Sequence, residues 1–401
     1  MQDVFSVDLP LPEFARGRRK AVGAPAHGRR KLVNRRVFLG TAAGAISASS
    51  IPARAEEKTI RTAMIGTGNR GGWVLKEIVK QPGVKVVALC DIKPNRLDAA
   101  ASTAARDNPA TYSDYKKLLE RSDVDAVFID TPCDLHVEMA IAALKAGKHI
   151  YCEKPVGITP ESIGRLLETA ERSKTVFCVG QQMRSFQWIR DAIAKLHDGI
   201  AGEIIMVKAQ RHASYDLEHD GSSADWFFDA KRSGDVIVEM AVHNLDLCNW
   251  AVGSRPAKAA GFGGNLLWKN DPPGRTNMDG YTLSYEYVSG VKLSFTQTFF
   301  HPSGLPEGGQ YTNVFGTKGA VSLDTCKFYP LGKGSQPVAL SEPAREGDAP
   351  HIKSFFDAIR TGSKPNADLI IGATAALTAI MGRQAIYTGK VVTWQDLGVR
   401  V

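Results

Sequence analysis

A glycine-rich turn, Gly66-Thr67-Gly68-Asn69-Arg70-Gly71, ends an apolar segment at residues 60–66 and opens an amphipathic segment that extends to residue 80. The apolar segment is typical of a buried β-strand, and the amphipathic one of a surface α-helix. Glycines in this arrangement allow a tight turn and bring backbone N–H groups close to a pyrophosphate at the positive end of the helix. The pattern therefore predicts a dinucleotide-binding unit, with Gly66, Gly68, Asn69, Arg70 and Gly71 at the phosphates.

An acidic residue, Asp91, stands at the end of the next apolar segment, residues 84–90. A carboxylate at this position can accept hydrogen bonds from an adenosine ribose and repels a 2′-phosphate, so it favours NAD over NADP. Lys93 and Arg96 follow closely, and their positive charges weaken this preference, which leaves NADP as the alternative. The order of strand, turn, helix, strand and acid favours a bound cofactor over a glycine-rich turn in a nucleotide-free fold.

Strand-like and helix-like segments alternate as far as residue 180. Apolar strands are predicted at residues 84–90, 126–129, 149–152 and 176–179, with helices at residues 135–146 and 160–172. Regular alternation of this kind is typical of a parallel, doubly wound α/β sheet. We therefore expect a Rossmann domain over residues 58–180.

The pattern changes over residues 181–401. Longer strands are predicted at residues 203–210, 281–287, 291–298, 311–315 and 320–323, most of them joined by short turns that contain glycine. Helices are predicted at residues 189–196, 351–360 and 369–387. This order predicts a second, α+β domain with an open, mostly antiparallel sheet, suited to substrate binding and oligomerisation.

The first 55 residues carry ten lysines and arginines against three acids, which accounts for nearly all of the net charge of +8. The rest of the chain is close to neutral and lacks the basic surface that nucleic acid binding requires. Arg35 and Arg36 precede a weakly hydrophobic segment and the small residues Ala53-Arg54-Ala55. This layout predicts a twin-arginine signal peptide at residues 1–55, a periplasmic or secreted protein, and no stable membrane insertion. The alternative is a membrane anchor or a basic tail before an Ala-rich helix.

A lysine, Lys154, follows the predicted strand at residues 149–152, at the sheet edge where parallel sheets bind ligands. It can donate a hydrogen bond to a substrate hydroxyl and stabilise the alkoxide that develops as hydride leaves. An isolated lysine at a strand end is otherwise an ordinary surface residue. Glu239 and His243 favour the catalytic interpretation, because residues four apart share one face of a helix. The carboxylate is then expected to orient the imidazole while His243 accepts the hydroxyl proton.

The six cysteines include no CxxC pair and are predicted to be buried thiols rather than a disulfide or metal framework. No spacing of histidines and acids predicts a metal site. Trp226 and Phe227 lie just before the segment that holds Glu239, where they either stack on a sugar ring or pack in the core.

Together these residues resemble the Gfo/Idh/MocA family of glucose-fructose oxidoreductases and inositol dehydrogenases, over residues 58–390. The resemblance rests on the glycine turn, Asp91, Thr131-Pro132 with His136, the run at residues 146–149 that leads into Glu153-Lys154-Pro155, and the segment 234–246. It implies that Lys154, Glu239 and His243 surround the reacting carbon, and that Thr131, Pro132, His136 and Glu153 border the nicotinamide half of the cofactor. Arg96 and Lys154 are predicted cofactor contacts as well. The family's usual acid at the position of Glu239 is aspartate.

The resemblance also bears on substrate contacts and assembly. It implies that Gln182 and Arg184 lie near the domain junction, and the predicted substrate contacts are Arg184, Asp246 and Trp226. Arg184 has an equally good alternative as a salt-bridging residue. The resemblance further implies a homo-oligomer, a dimer or tetramer, formed through the exposed face of the second sheet.

The predicted function is an NAD(P)-dependent oxidoreductase that transfers a hydride to or from a hydroxyl-bearing carbon of a sugar, sugar derivative or cyclitol. Because free NAD is scarce outside the cytoplasm, an exported enzyme is expected to hold its cofactor tightly. One alternative is a redox-neutral glycoside hydrolase that acts by transient oxidation and elimination, although that branch of the family typically lacks the lysine found at Lys154. The other is a non-catalytic sugar or nucleotide sensor on the same fold.

Overall fold

The computed structural model describes residues 59–213, 224–305, 308–343 and 349–401. The predicted signal peptide therefore lies outside the described residues. Glu56–Val401 form one compact unit, which contains two β-sheets.

The first sheet has six parallel strands in the order β3-β2-β1-β4-β5-β6. This is the strand order of a doubly wound dinucleotide-binding sheet, so the predicted Rossmann fold is confirmed. Its strands are β1 (Ile60–Ile65), β2 (Val84–Cys90), β3 (Ala110–Tyr112), β4 (Ala126–Ile129), β5 (His149–Cys152) and β6 (Phe177–Val179). The helices that connect these strands are α1 (Asn69–Ile78), α2 (Pro94–Thr103), α3 (Tyr115–Leu119), α4 (His136–Lys145) and α5 (Pro160–Ala170). A further helix, α6 (Gln187–His197), follows β6.

The second sheet has nine strands in the order β14-β13-β12-β11-β7-β10-β9-β8-β15. The strands are β7 (Ile204–His212), β8 (Pro256–Gly264), β9 (Gly280–Tyr287), β10 (Lys292–Thr298), β11 (Gln310–Gly316), β12 (Gly319–Ser322), β13 (Lys327–Pro330), β14 (Val338–Ala339) and β15 (Val392–Thr393). All neighbours pair antiparallel except β7 and β10. The prediction of an open, mostly antiparallel sheet is confirmed.

Between β7 and β8, the described residues from 224 onward form four short or medium helices: α7 (Ala224–Phe227), α8 (Ala230–Ser233), α9 (Val236–Glu239) and α10 (Val242–Val252). Two more, α11 (Pro350–Thr361) and α12 (Leu369–Thr388), follow β14. By length and composition alone α12 could cross a membrane, with a mean hydropathy of 1.5 over its most apolar window. However, 67% of that window is buried within the protein, against β8 and α10 among others. This burial is typical of a core helix.

The main difference from the predicted elements is β8. Its sequence, PAKAAGFGG, contains three glycines and no regular alternation of apolar and polar residues, so no strand was expected there. The strand forms because β9 and β15 pair with its two edges. All six cysteines are buried and unpaired, as predicted.

Candidate active site

A cavity of about 590 Å³ lies at the carboxyl ends of β1, β2, β4 and β5, and residues of α7 to α10 form its other wall. This volume is in the usual range for a small-molecule site. The predicted cofactor contacts that line it are Gly66, Gly68, Asn69, Arg70, Asp91, Arg96, Thr131, Pro132, His136, Glu153 and Lys154. The other wall contributes Arg211, Trp226, Phe227, Arg232, Glu239, Met240 and His243.

The glycine turn has the geometry that a dinucleotide requires. Gly66 adopts a left-handed φ of +89°, and a Cβ there would lie 2.5 Å from the Asp130 carbonyl oxygen. A Cβ on Gly71 would lie 2.1 Å from the Gly66 carbonyl oxygen, so this glycine allows α1 to pack directly on the turn. Gly68 caps α1 without a side-chain hydrogen bond, and no acid occupies the first turn. The helix N-terminus is therefore electrostatically suited to a pyrophosphate.

Asp91 is buried beneath this turn. Its Oδ2 accepts hydrogen bonds from the Thr67 amide at 2.8 Å and the Thr67 hydroxyl at 3.1 Å, and its Oδ1 accepts one from the Lys93 amide. An ionised carboxylate offers about four acceptor positions, so Asp91 retains capacity for a ribose hydroxyl. Arg96 lies over the turn, because a Cβ on Gly68 would be 3.0 Å from its guanidinium.

Glu153 organises the floor of the cavity. Arg70 donates to its Oε1 from Nε at 2.8 Å and reaches Gln182 through Nη2 at 2.9 Å. These interactions link the glycine turn to the segment that follows β6. The cations Arg70 and Lys154 outweigh the cost of burial and lower the pKa of Glu153, which is therefore ionised.

His136 ties together the loops after β4 and β5. Its Nδ1 lies 2.7 Å from the Pro155 carbonyl oxygen, and its Nε2 lies 2.8 Å from the Thr131 carbonyl oxygen. The ring thus holds Thr131-Pro132 beside Lys154-Pro155, the two segments expected at the nicotinamide. Burial lowers the pKa of His136 despite both carbonyl contacts.

Lys154 and Glu239 are in direct contact across the cavity. The Lys154 ammonium donates to the Glu239 carboxylate at 2.5 Å and to the Glu239 carbonyl oxygen at 2.8 Å. The side chains are only 16% and 13% exposed, so this ion pair is well shielded from water. The contact joins the loop after β5 to the end of α9.

The structure differs from the expected pairing of Glu239 with His243. Glu239 ends α9, and α10 begins at Val242, so the two residues do not share one continuous helix. The carboxylate pairs with Lys154, and the buried Nδ1 of His243 has no hydrogen-bond partner among the described residues. The predicted pairing was wrong because α9, which Asp235 caps, is only four residues long and Met240-Ala241 interrupt the helix before α10. Both residues still line the cavity.

His243 is electrically neutral. Burial, together with the nearby cations Lys154 and Arg211, lowers its pKa well below the usual value for histidine. A neutral imidazole has a free acceptor nitrogen and can take a hydroxyl proton.

The lowered pKa of His243 predicts how its imidazole responds to pH. We expect the His243 imidazole to stay neutral as the pH falls through 6.5, the reference pKa of histidine, because protonation would place a cation beside Lys154 and Arg211. NMR titration of the imidazole signals, with H243Q as the assignment control, measures this directly. A His243 signal that titrates at or above the reference value would contradict the prediction.

Two of the three predicted substrate contacts lie outside the cavity wall. Arg184 and Asp246 form a buried ion pair through two hydrogen bonds, at 2.7 and 2.9 Å, and the Arg184 guanidinium covers Trp250 at 4.8 Å. This corresponds to the salt-bridge interpretation of Arg184 and corrects the expectation for Asp246, because each side chain already satisfies the other. Trp226 does line the cavity, edge-on to Phe227.

Three charged residues of the cavity wall were not anticipated from the sequence. Asp130 directly follows β4, and neither of its carboxyl oxygens has a hydrogen-bond partner within the described part of the chain. Burial and the nearby Glu153 carboxylate raise its pKa well above the usual value. An acid at the carboxyl end of a predicted parallel strand was the available signal. Arg211 and Arg232 come from β7 and α8, and their positions depend on tertiary packing that a single sequence does not reveal.

Comparisons with known proteins agree with this architecture. Residues 60–181 match the model of the oxidoreductase family with an NAD-binding Rossmann fold, GFO_IDH_MocA, and residues 186–322 match a GFO/IDH/MocA C-terminal domain. A glycosyl hydrolase family 109 protein of Stenotrophomonas maltophilia (strain K279a) is 36% identical over 190 residues, which are 44% of this chain and 42% of that protein. The chain thus matches less than half the length of that relative.

Two further proteins match more of the chain. A 2,7-anhydro-N-acetylneuraminate hydratase of Mediterraneibacter gnavus (strain ATCC 29149 / DSM 114966 / JCM 6515 / VPI C7-9) is 26% identical over 67% of this chain and 68% of its own length. The crystallised complex of levoglucosan dehydrogenase with NADH and levoglucosan superposes with a TM-score of 0.72, at 19% identity, over 83% of this chain and 99% of that one. At this identity the structural match shows a shared fold.

Proposed function

Because the chain belongs to the Gfo/Idh/MocA oxidoreductase family, we propose that it is an NAD(P)-dependent enzyme that moves a hydride to or from a hydroxyl-bearing carbon of a sugar or cyclitol. The observation that carries the proposal is one cavity that combines the glycine cradle, the Lys154 ammonium and the neutral His243 imidazole. Bound NAD(P)⁺ would supply the hydride acceptor. The levoglucosan dehydrogenase with the same fold holds both NADH and a sugar, which supports the proposed ligands.

Lys154 is positioned to bind the reacting oxygen. An ammonium has three N–H donors, and Glu239 accepts two of them, through its carboxylate and its carbonyl. The third donor remains for a substrate hydroxyl. As hydride leaves the carbon, negative charge grows on that oxygen and Lys154 stabilises it, while His243 accepts the hydroxyl proton.

Glu239 has a positioning role in this proposal. It fixes the ammonium in a dry site, where an unpaired lysine would be costly to keep charged. NAD is the proposed cofactor because Asp91 lies beneath the turn, with NADP as the alternative because Arg96 lies over it.

A second candidate is redox-neutral glycoside cleavage. It is favoured by the 36% identity to the glycosyl hydrolase family 109 protein, within the matched 190 residues. In such a reaction a hydroxyl is oxidised, a proton next to the new carbonyl is lost, the leaving group two carbons away departs, water adds, and the hydride returns. The cofactor ends in the redox state in which it began.

One experiment separates these candidates. The purified protein is incubated in D₂O with sugars and with their glycosides, and the NADH absorbance and the deuterium content of the products are measured. Net formation or consumption of NADH supports the oxidoreductase, whereas release of the leaving group with carbon-bound deuterium and no net NADH supports glycoside cleavage. If both signals are absent while the sugars still bind to the NAD-loaded protein, a sensor is favoured instead.

We also propose that the protein is exported through the twin-arginine pathway, on the basis of residues 1–55. The double substitution R35K/R36K preserves charge and removes the arginine pair, so we expect it to keep the protein in the cytoplasm. Cell fractionation measures how much of the protein is exported. The wild type, the double variant and R29K/R30K as a control are compared. Export of the double variant at the wild-type level would contradict the proposal.

A homo-oligomer remains part of the proposal. The outer face of the second sheet exposes several apolar side chains, among them Met206 and its cross-strand neighbour Phe315, together with Phe262. Exposed apolar groups on a broad sheet favour burial against a second copy. Light scattering of the purified protein would give the number of chains.

A further inference from the structure

Arg211 lies where the inner face of the second sheet changes from apolar to polar. Along this face β7 presents Val207 and Ala209, and β10 presents Leu293 and Phe295, all of them buried. One step further toward the cavity, Arg211 of β7 pairs in register with Gln297 of β10 and Gln310 of β11. The sheet thus ends in polar side chains where it meets the substrate side of the cavity.

The Arg211 guanidinium is held on one side and open on the other. Its Nη1 donates to Gln310 Oε1 at 2.8 Å and to Asn244 Oδ1 at 3.3 Å. Its Nε is buried and has no hydrogen-bond partner among the described residues, and Nη2 makes no hydrogen bond to them either. The Nε–Nη2 edge of a guanidinium is a planar pair of donors whose spacing matches the two oxygens of a carboxylate.

Neighbouring side chains also keep unused hydrogen-bonding groups. Nδ2 of Asn244 and both amide atoms of Gln297 are buried without partners within the described part of the chain. Buried polar groups of native proteins are nearly always satisfied, and each one left unpaired costs about 1–3 kcal/mol. Two of these three groups, Asn244 Nδ2 and Gln297 Nε2, are donors. Together with the open guanidinium edge they indicate a ligand that supplies several acceptors.

Three other cations that line the cavity already have carboxylate partners. Lys154 pairs with Glu239 at 2.5 Å, Arg70 with Glu153 at 2.7 Å, and Arg232 with Asp134 at 3.2 Å. Arg211 forms no salt bridge with any described residue, and burial lowers the pKa of its guanidinium. Glu239 is the carboxylate that favours the charged form of Arg211, and it already forms the ion pair with Lys154. Lys154 and Arg211 thus share one carboxylate among the described residues, which leaves one excess positive charge on the substrate side of the cavity.

We propose that Arg211 binds a carboxylate of the substrate, so that the substrate class is acidic sugars such as uronates or sialic-acid-type sugars rather than neutral ones. This rests on the proposed function, because it places a sugar in the cavity beside Lys154. A monoanion matches the single unpaired charge, and a planar carboxylate matches the Nε–Nη2 edge. A neutral polyol would leave a buried cation without a counter-charge.

The test compares matched pairs of sugars that differ at one carboxylate. The binding affinities are measured by calorimetry on the NADH-loaded protein. The pairs are D-glucuronate and D-glucose, D-galacturonate and D-galactose, and N-acetylneuraminate and its methyl ester. We expect at least one acid to bind about tenfold or more tightly than its neutral partner. In R211Q this preference is lost, and in R211K it is partly kept, because a lysine retains the charge without the planar fork.

R232Q is the matched control, since Arg232 lines the same cavity but already faces Asp134. It is expected to leave the ratio of acid to neutral affinity unchanged. Binding of D-glucose 6-phosphate is measured alongside. The proposal is overturned if every acid binds no more tightly than its neutral partner, if the acid preference survives in R211Q, or if D-glucose 6-phosphate binds selectively over D-glucuronate. Thermal unfolding of each variant confirms that it is folded.

Failure of this proposal is distinguishable from failure of the proposed function. If a neutral sugar reduces the bound NAD⁺ while the acids do not bind, the oxidoreductase stands and the role of Arg211 is rejected. If the protein neither holds nor binds NAD(H), the proposed function fails whatever Arg211 binds.

Discussion

Replacing Lys154 with alanine is expected to lower kcat by about 10²–10⁴-fold, the usual range for loss of a positioned proton donor, while the protein still holds its cofactor. Glu239 accepts two of the three N–H groups of the Lys154 ammonium, and the third remains to donate to the substrate oxygen. The rate of NADH formation with the best sugar substrate gives kcat. The NAD(H) released on denaturation gives the amount of bound cofactor. The loss is expected in kcat more than in KM, because the interaction strengthens as the alkoxide develops.

Two further variants make this result interpretable. K154R retains the positive charge but changes its shape and reach, so partial activity is expected. E239Q removes the charge that fixes Lys154 and keeps the side-chain volume, so a smaller loss than in K154A is expected. Wild-type turnover in K154A would reject the catalytic role, and an empty K154A protein would make Lys154 a cofactor contact instead.

Replacing Gly71 with alanine is expected to destabilise the protein by about 3 kcal/mol and to abolish retention of NAD(H). The added Cβ would lie 2.1 Å from the Gly66 carbonyl oxygen, and backbone cannot rotate away as a flexible side chain can. The turn must therefore move off α1, which also moves the amide groups that face the pyrophosphate. Denaturant unfolding and cofactor release measure the two effects separately.

Gly72 provides the control one residue further along α1. A Cβ there meets nothing closer than the Thr67 carbonyl oxygen at 3.7 Å, which is ordinary van der Waals contact. Because alanine is the better helix former, G72A is expected to leave NAD(H) bound and to change stability by less than about 1 kcal/mol. Equal effects of G71A and G72A would show that the turn does not depend on close packing at Gly71.

The first sheet could be predicted well because its signals are local. The strands around residues 84–90, 126–129 and 149–152 are short apolar runs, and helical segments and turns separate them in the sequence. The glycine turn marks where β1 ends and α1 begins. The second sheet was predicted in type but not in detail. Its strand β8 lacks an alternating pattern, and the parallel pairing of β7 with β10 joins segments that are far apart in the chain.

The site shows the same division. The positions around Gly66, Asp91 and Lys154 follow strand ends, so their location at one sheet edge could be inferred from topology. The partner of Glu239 could not, because the choice between His243 and Lys154 depends on the two-residue break between α9 and α10. Arg211 was missed because the predicted strand ends at residue 210, two residues before the end of β7, and its open edge is visible only in three dimensions.

Whether this cavity holds a nicotinamide cofactor can be measured without any substrate. The purified protein is denatured, and the released supernatant is analysed for NAD, NADH, NADP and NADPH by absorbance and mass spectrometry. We expect stoichiometric release of NAD(H), or tight binding of added NAD(H) where the protein is isolated empty. A folded protein that releases no nicotinamide dinucleotide and binds neither added NAD nor added NADP would contradict it.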